Sequence, residues 1–380
     1  MVADESPSMQ FKDVIGQNNI QQTLREMVQQ DRIPHAQLLL GAPGSGKLGL
    51  ALAFAQYVLC ENRSATDACG VCNACHKVSK LIHPDLHFSY PVVGSKITSV
   101  HFLEHWRSAI EHNPYMNVNQ WLRHIGAENK QGNINKDECV SIIKKLSLKT
   151  FEGSHKILIL WLPEFLQKEG NRLLKLIEEP PPQTLFLLVA ENQELILNTI
   201  LSRCQIIKVN PLPDEVVVNA LEQKVAIPRT ELEAIAHLAN GDFNEALQLL
   251  EKRENNNAQL FLDWLRRCYR GNGVELVSWV EQFAGIGREN QKHFLRYALH
   301  FLREYMSLKL TGQAKVRLRT TELETAKKMT KVIEFAHIEQ IAKLFDDCSY
   351  YVERNANPKI LFLDASIQMH HILKTPVPQF

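Results

Sequence analysis

Apolar residues in the first half of the chain fall into short continuous runs. "AQLLLG" (36–41), "DLHFSYPV" (85–92), "KILILWL" (156–162), "TLFLLVA" (184–190) and "CQIIKV" (204–209) are each bounded by turn or polar residues. Continuous rather than alternating apolar character predicts strands covered on both faces, as in a parallel sheet. Between them, "LGLALAFAQYVL", "KDECVSIIKKLSL" and "GNRLLKLIEE" are helix candidates. The alternation predicts an α/β architecture with helices crossing over a central sheet.

After "VNPLPDE" the pattern changes. "TELEAIAHLANGDFNEALQLLEK" reads as two helices broken at Asn240-Gly241, a helix-ending pair. From about residue 258 to 375 the spacing is helical almost throughout, as in "HFLRYALHFLREYMSL" and "HIEQIAKLFDDCSYYVE". Three units are expected: an α/β domain over 1–209, a small helical domain over 210–255 and an all-helical domain over 256–380. The stretch 92–136 has little periodicity at first and reads as an insertion beyond a minimal α/β core, ordered in part by Trp106, Tyr115 and Trp121.

Composition adds limits. The chain has 380 residues, 43 basic and 42 acidic, for a net charge of +1, so nothing marks a general nucleic-acid or membrane binder. Any DNA contact has to come from local clustering or from partners. The first residues, "MVADESPSMQFKD", lack the basic-then-apolar pattern of a signal peptide, and no apolar run approaches the roughly 18 residues a membrane span needs. The expectation is a cytoplasmic protein with reduced thiols. Its eight cysteines are therefore read as metal ligands or core residues before disulfides.

The first chemical motif is "GAPGSGKL". Gly41, Gly44, Gly46 and Lys47 match a phosphate-binding loop, in the strand-to-helix setting the motif requires. Its glycines let backbone N–H groups converge on phosphate oxygens, and the helix amino end adds partial positive charge. The next residue should carry a hydroxyl for magnesium, and here it is Leu48. A second strand should end in acidic residues that complete the magnesium site. The matching place offers Trp161 and Leu162, with Glu164 beyond Pro163. Two missing parts of one magnesium site predict a chain that does not hydrolyse ATP.

The second motif is Cys60, Cys69, Cys72 and Cys75, spaced C-x8-C-x2-C-x2-C on a polar loop. Four thiolates suit a closed tetrahedral structural zinc site; an iron–sulfur cluster uses similar cysteine density, but the small polar surroundings favour zinc. Cys139, Cys204, Cys268 and Cys348 are isolated in apolar patterns and read as core. The third is "LLKLIEEPPPQT" followed by "ILSRC". Taken one at a time, Glu178 and Glu179 read as a solvated face and Arg203 as a surface arginine.

Together, "FKDVIGQNNIQQTL", "RIPHAQLLLGAPGSGK", the four-cysteine module, "HPDL", "LLKLIEEPPPQT" and "ILSRC" resemble, in this order, the bacterial clamp-loader subunits, AAA+ ATPases of the DNA polymerase III holoenzyme. The resemblance runs from about residue 11 to 250. It implies an AAA+ P-loop domain with a parallel sheet and a zinc module (60–75), a helical lid over 210–255, and an all-α oligomerising collar over 256–380. Within the family, Leu48, Trp161 and Leu162 depart from the motor (gamma/tau) pattern and fit the branch without catalytic residues. Asn244 stands where active members carry an arginine that senses the γ phosphate, and Glu191 about where a polar sensor follows the third core strand.

The resemblance further implies that Arg203 acts in trans, as an arginine finger at a neighbouring subunit's ATP. Implied partners are the motor subunit (gamma/tau), the delta subunit and, through the assembled complex, primed DNA, in a hetero-oligomer at the cytoplasmic replisome. For the phosphate loop two readings stand: weak nucleotide binding, with "VIGQ" (14–17) over the adenine, or a silent strand-to-helix connection. For Lys144, Lys145 and Lys149 two also stand: a DNA-tracking helix or a solvated face. The alternative function is an autonomous P-loop ATPase using Glu164 as its acid.

Overall fold

Strands form where the continuous apolar runs fall: β1 (Ala36–Gly41), β2 (Leu86–Ser89), β3 (Lys156–Trp161), β4 (Thr184–Ala190) and β5 (Gln205–Val209). They make one parallel sheet in the order β2-β3-β4-β1-β5. The central strands β3 and β4 are buried at every position. β5 departs from the two-sided burial expected of it, with Ile206 40% exposed. It is one of two edge strands, and its faces are left largely open, whereas β2 at the other edge is mostly buried. The structure, a computed structural model, describes residues 10–374 apart from 129, 252–256, 312–317, 319 and 331–332.

Two units follow by contact, Met1–Leu249 and Leu250–Phe380. The first carries the sheet and the helices α1 (Asn18–Gln29), α2 (Lys47–Leu59), α3 (Asn73–Ser79), α4 (Leu103–His112), α5 (Val118–His124), α6 (Lys136–Leu146), α7 (Leu174–Glu178), α8 (Asn198–Leu201), α9 (Asp214–Glu222), α10 (Arg229–Ala239) and α11 (Phe243–Glu251). α2 is buried along its whole length, which explains a sequence that is apolar on every face. The helix expected over 170–179 is split between the end of a 3-10 run, Pro163–Leu173, and α7. The break at Asn240-Gly241 is where both residues take positive φ, 48° and 81°, between α10 and α11.

The insertion belongs to the core of this unit. Trp106 on α4 and Trp121 on α5 are fully buried, and Trp106 stacks on Tyr90 with ring centroids 4.1 Å apart. The Trp121 indole N–H donates to the Pro91 carbonyl at 2.7 Å, which satisfies the one polar atom buried with the ring.

The second unit is helical among its described residues: α12 (Asn257–Arg270), α13 (Gly273–Ala284), α14 (Arg288–Thr311), α15 (Thr320–Met329), α16 (Phe335–Glu353) and α17 (Pro358–Lys374). Trp264, Trp279, Phe283 and Phe294 form a ring cluster at its centre, and the Trp264 N–H donates to Ser366 Oγ at 2.8 Å. No helix of the described residues is long and apolar enough to cross a membrane.

Candidate functional site

β1 ends at Gly41, where Val209 of β5 approaches so closely that a β carbon would collide with its carbonyl. The loop then turns through Gly44 and Gly46, with φ of 64° and 89°, into α2. Lys47 opens that helix, yet its ammonium curls back, donating to the Ala42 carbonyl at 2.5 Å and lying 3.3 Å from Ser45 Oγ. Burial pushes its pKa down, while Glu191, Asp242 and Glu164 pull it up. Three acidic side chains thus act on the cation that a phosphate would seek.

Each carboxylate is held by the fold. Glu164 accepts from the backbone N–H of Glu191 and of Asn192 (2.8 Å), just past β4. Both bonds use Oε1, while Oε2 is buried without a hydrogen-bond partner among the described residues. Burial pushes Glu191 up to about 7, against the pull of Lys47. Asp242 caps α11, accepting from Glu245 N–H at 3.0 Å. Its carboxylate fills the space a side chain at Gly44 would need, and the following amide, Phe243 N–H, donates to the Gly44 carbonyl at 3.1 Å.

The magnesium corner is apolar. Leu48, Trp161 and Leu162 are all buried in one core cluster. Trp161 packs on Trp106 of the insertion with centroids 5.2 Å apart. The insertion reaches the other expected positions as well. Asn113 Nδ2 donates to Asn244 Oδ1 at 2.8 Å, and Tyr115 lies against Gly46 and Phe243. The Tyr115 hydroxyl accepts from Ile15 N–H at 2.9 Å, while Gln17 Nε2 donates to the carbonyls of Ser45 and Asn210. The segment 14–17 is therefore strapped between the phosphate loop and the start of the helical segment.

The four cysteines come together at the ends of α2 and α3. Their sulfurs all lie within 4.8 Å of one another, with Cys60–Cys72 at 4.0 Å and Cys69–Cys75 at 3.9 Å. A tetrahedral zinc with bonds of about 2.3 Å sets sulfurs about 3.8 Å apart, so the donor set fits that ion. Backbone N–H groups of Cys69, Cys72 and Cys75 point at cluster sulfurs at 3.3–3.4 Å, as thiolates favour. His76 is exposed and stands outside the group.

Arg203 follows the short α8. Its Nε and Nη2 both donate to Glu178 Oε2, at 3.1 and 2.9 Å, and Nη1 donates to the Thr199 carbonyl at 2.9 Å. The guanidinium is thus fixed at the surface, its side chain 32% exposed. Glu178 and Asp242 are the residues that sequence reasoning missed. Asp242 carried a signal for capping a helix, in the D-x-x-E spacing before α11, but none for its place over the loop. Glu178 lies 25 residues from Arg203, and only the topology brings them together.

The parallel sheet and glycine loop define a P-loop domain of the AAA+ type, in which Leu48, Trp161 and Leu162 are buried in the apolar core. A family model described as "DNA polymerase III, delta subunit" matches residues 16–213, and the chain belongs to that family. Among curated relatives it is 26% identical over 220 residues to DNA polymerase III subunit delta' of Escherichia coli (strain K12), which is 57% of this chain and 54% of that one. It is 27% identical to subunit delta' of Bacillus subtilis (strain 168), over 63% of this chain and 60% of the relative. It is equally 27% identical to subunit tau of the same organism, over 64% and 37% respectively. The chain thus spans between about a third and three-fifths of these relatives' lengths.

Proposed function

We propose that this chain is a non-catalytic, delta-prime-type subunit of the clamp loader of a DNA polymerase III holoenzyme. It completes a ring beside a motor subunit (gamma/tau) and a delta subunit, and lends Arg203 to the motor's ATP. The observation that carries this reading is a contrast. Leu48, Trp161 and Leu162 are sunk in the apolar core, while Arg203 is held at the surface by Glu178.

Phosphoryl transfer concentrates charge on the equatorial oxygens of the γ phosphate, and catalysis is mostly positioning and electrostatics. A guanidinium fits that task because its charge is permanent and its planar fork matches phosphate oxygens. Glu178 orients the fork and leaves part of it open to a neighbour. The helical segment 210–255 acts as lid and 256–380 as collar in the hetero-oligomer, which engages primed DNA. Cys60, Cys69, Cys72 and Cys75 hold a structural zinc ion, which contributes folding energy rather than chemistry.

The phosphate loop itself, Gly41, Gly44, Gly46 and Lys47, binds nucleotide weakly or not at all. Its lysine already has carboxylate neighbours, and Asp242 stands over its tip. The rival reading, an autonomous ATPase using Glu164, is weakened by the burial of that carboxylate, whose Oε1 is held by two backbone amides. Assay of the purified chain with ATP and magnesium separates the two: no turnover supports a non-catalytic subunit, and steady turnover abolished by Glu164→Gln supports the rival.

A further inference from the structure

At the amino end of edge strand β2, and so at the opposite end of the sheet from the phosphate loop, the first unit has a recess of about 140 Å³. Its wall is mostly apolar, with Ile82, Leu86, Phe88, Val100 and Leu103 among its residues. Ile82 and Val100 are about half exposed at its rim, 48% and 52%. Its polar residues are nitrogen bases and one serine: His83, His87, Arg107, Lys145 and Ser99. No carboxylate lines it among the described residues.

The acids around it are engaged. Glu138 accepts from Ser99 N–H and Oγ at 2.8 and 2.7 Å. Asp85 accepts backbone N–H bonds from Phe151, Glu152 and Gly153. Glu152 pairs with Lys77 at 2.6 Å. Arg107 donates to the Leu81 carbonyl at 3.1 Å and, like Lys145, makes no ion pair among the described residues. Burial, with Lys145 beside it, pushes His87 down to about 4, so its ring is neutral at pH 7. Two basic side chains outside any ion pair among the described residues thus stand over an apolar floor.

We propose that this recess is a docking pocket for an acidic segment of a partner protein that carries an apolar side chain next to its carboxylates. The apolar residue fills the floor against Leu86 and Phe88, and the carboxylates meet Arg107 and Lys145. Complementary charge of this kind sets partner choice and association rate, while the buried apolar anchor supplies affinity. A nucleic-acid backbone fits less well, because phosphates need an open row of cations and gain nothing from an apolar floor. The proposal is independent of any role for Arg203 or the phosphate loop.

The test pans short random peptides, displayed on phage, against the immobilised full chain. Enriched peptides are expected to share a Leu, Ile or Phe flanked by Asp or Glu. A fluorescent copy of one of them should bind about tenfold more weakly to Lys145→Glu and Val100→Asp, and nearly unchanged to Lys145→Arg. Val100 is exposed and Lys145 half-buried, and circular dichroism verifies that each variant is folded. Failure to enrich any sequence overturns the proposal, as does undiminished binding to Lys145→Glu. Salt-sensitive binding of duplex DNA that Lys145→Glu abolishes, with no acidic peptide enriched, assigns the surface to nucleic acid and overturns it equally.

Discussion

Asp242 lies directly over Gly44: the carboxylate that caps α11 fills the space beside the tip of the phosphate loop, and the next amide is bonded to the Gly44 carbonyl at 3.1 Å. A loop built to gather phosphate oxygens is therefore faced by a negative group, with Glu191 as a second acid near Lys47. Neutralising both should uncover what the loop retains. Asp242→Asn keeps a side-chain oxygen for the cap, so the helix start survives. The double variant with Glu191→Gln is expected to bind ATP at least about tenfold more tightly than the parent chain, a gain of roughly 1.4 kcal/mol, by isothermal titration. Equal affinity in the two proteins would mean that the acids are not what limits binding.

Glu191 also makes stability depend on pH. Its folded pKa of about 7 lies above the ordinary 4.5, chiefly through burial. Between those values the native state holds a proton that the unfolded chain releases, so stability falls as pH rises through the window and the penalty is complete above 7. Glu191→Gln should therefore raise the stability of the protein at pH 8 by on the order of 2 kcal/mol, and by much less at pH 5. Thermal unfolding at the two pH values measures this, and a shift of the same size at both would exclude the titration of Glu191 as its cause.

The four-cysteine loop is tied to the phosphate loop through the amino-terminal segment. Asp67, between Cys60 and Cys69, accepts from the N–H groups of Phe11 and Lys12 at 3.1 and 3.0 Å. A few residues on, Ile15 and Gln17 bind Tyr115 and Ser45. Zinc that folds the loop should therefore order residues 11–17. One zinc per chain is expected, and its removal by a chelator, or Cys69→Ser, should speed amide hydrogen exchange across 11–17. Unchanged exchange there after complete metal loss would sever that link.

On the proposed role of Arg203, Glu178 is its positioning residue, since both of its hydrogen bonds reach the guanidinium. In the assembled complex Glu178→Ala should lower the neighbour's hydrolysis severalfold and leave ATP binding there unchanged. Glu178→Asp should recover part of the loss. A change in binding without a change in hydrolysis would point instead to a role in the subunit interface.

Much of the fold was legible in the sequence, because each strand is a continuous apolar run between turn residues and the sheet buries it. β5 was misjudged for a reason visible only in three dimensions: an apolar run at a sheet edge has the same spacing as one at the centre. The glycine turn and the gathering of the four cysteines could be read because both rest on short local spacings. The insertion could be read only as far as its buried aromatics, Trp106, Tyr115 and Trp121. Trp106, Asn113 and Tyr115 have no periodicity that announces their targets, and those targets, Trp161, Asn244 and Gly46, are distant in sequence. The Glu178–Arg203 pair was hidden for the same reason.

On the proposed function, this chain supplies an arginine to its neighbour and needs no hydrolysis of its own. The most direct measurement is single-turnover ATP hydrolysis at the neighbouring motor site, in the complex reconstituted with its partners, clamp and primed DNA. With Arg203→Ala in this chain the rate at that site is expected to fall by about 10³ or more, whereas Lys47→Met should leave it unchanged. An unaltered rate with Arg203→Ala, or a loss with Lys47→Met alone, would contradict the claim.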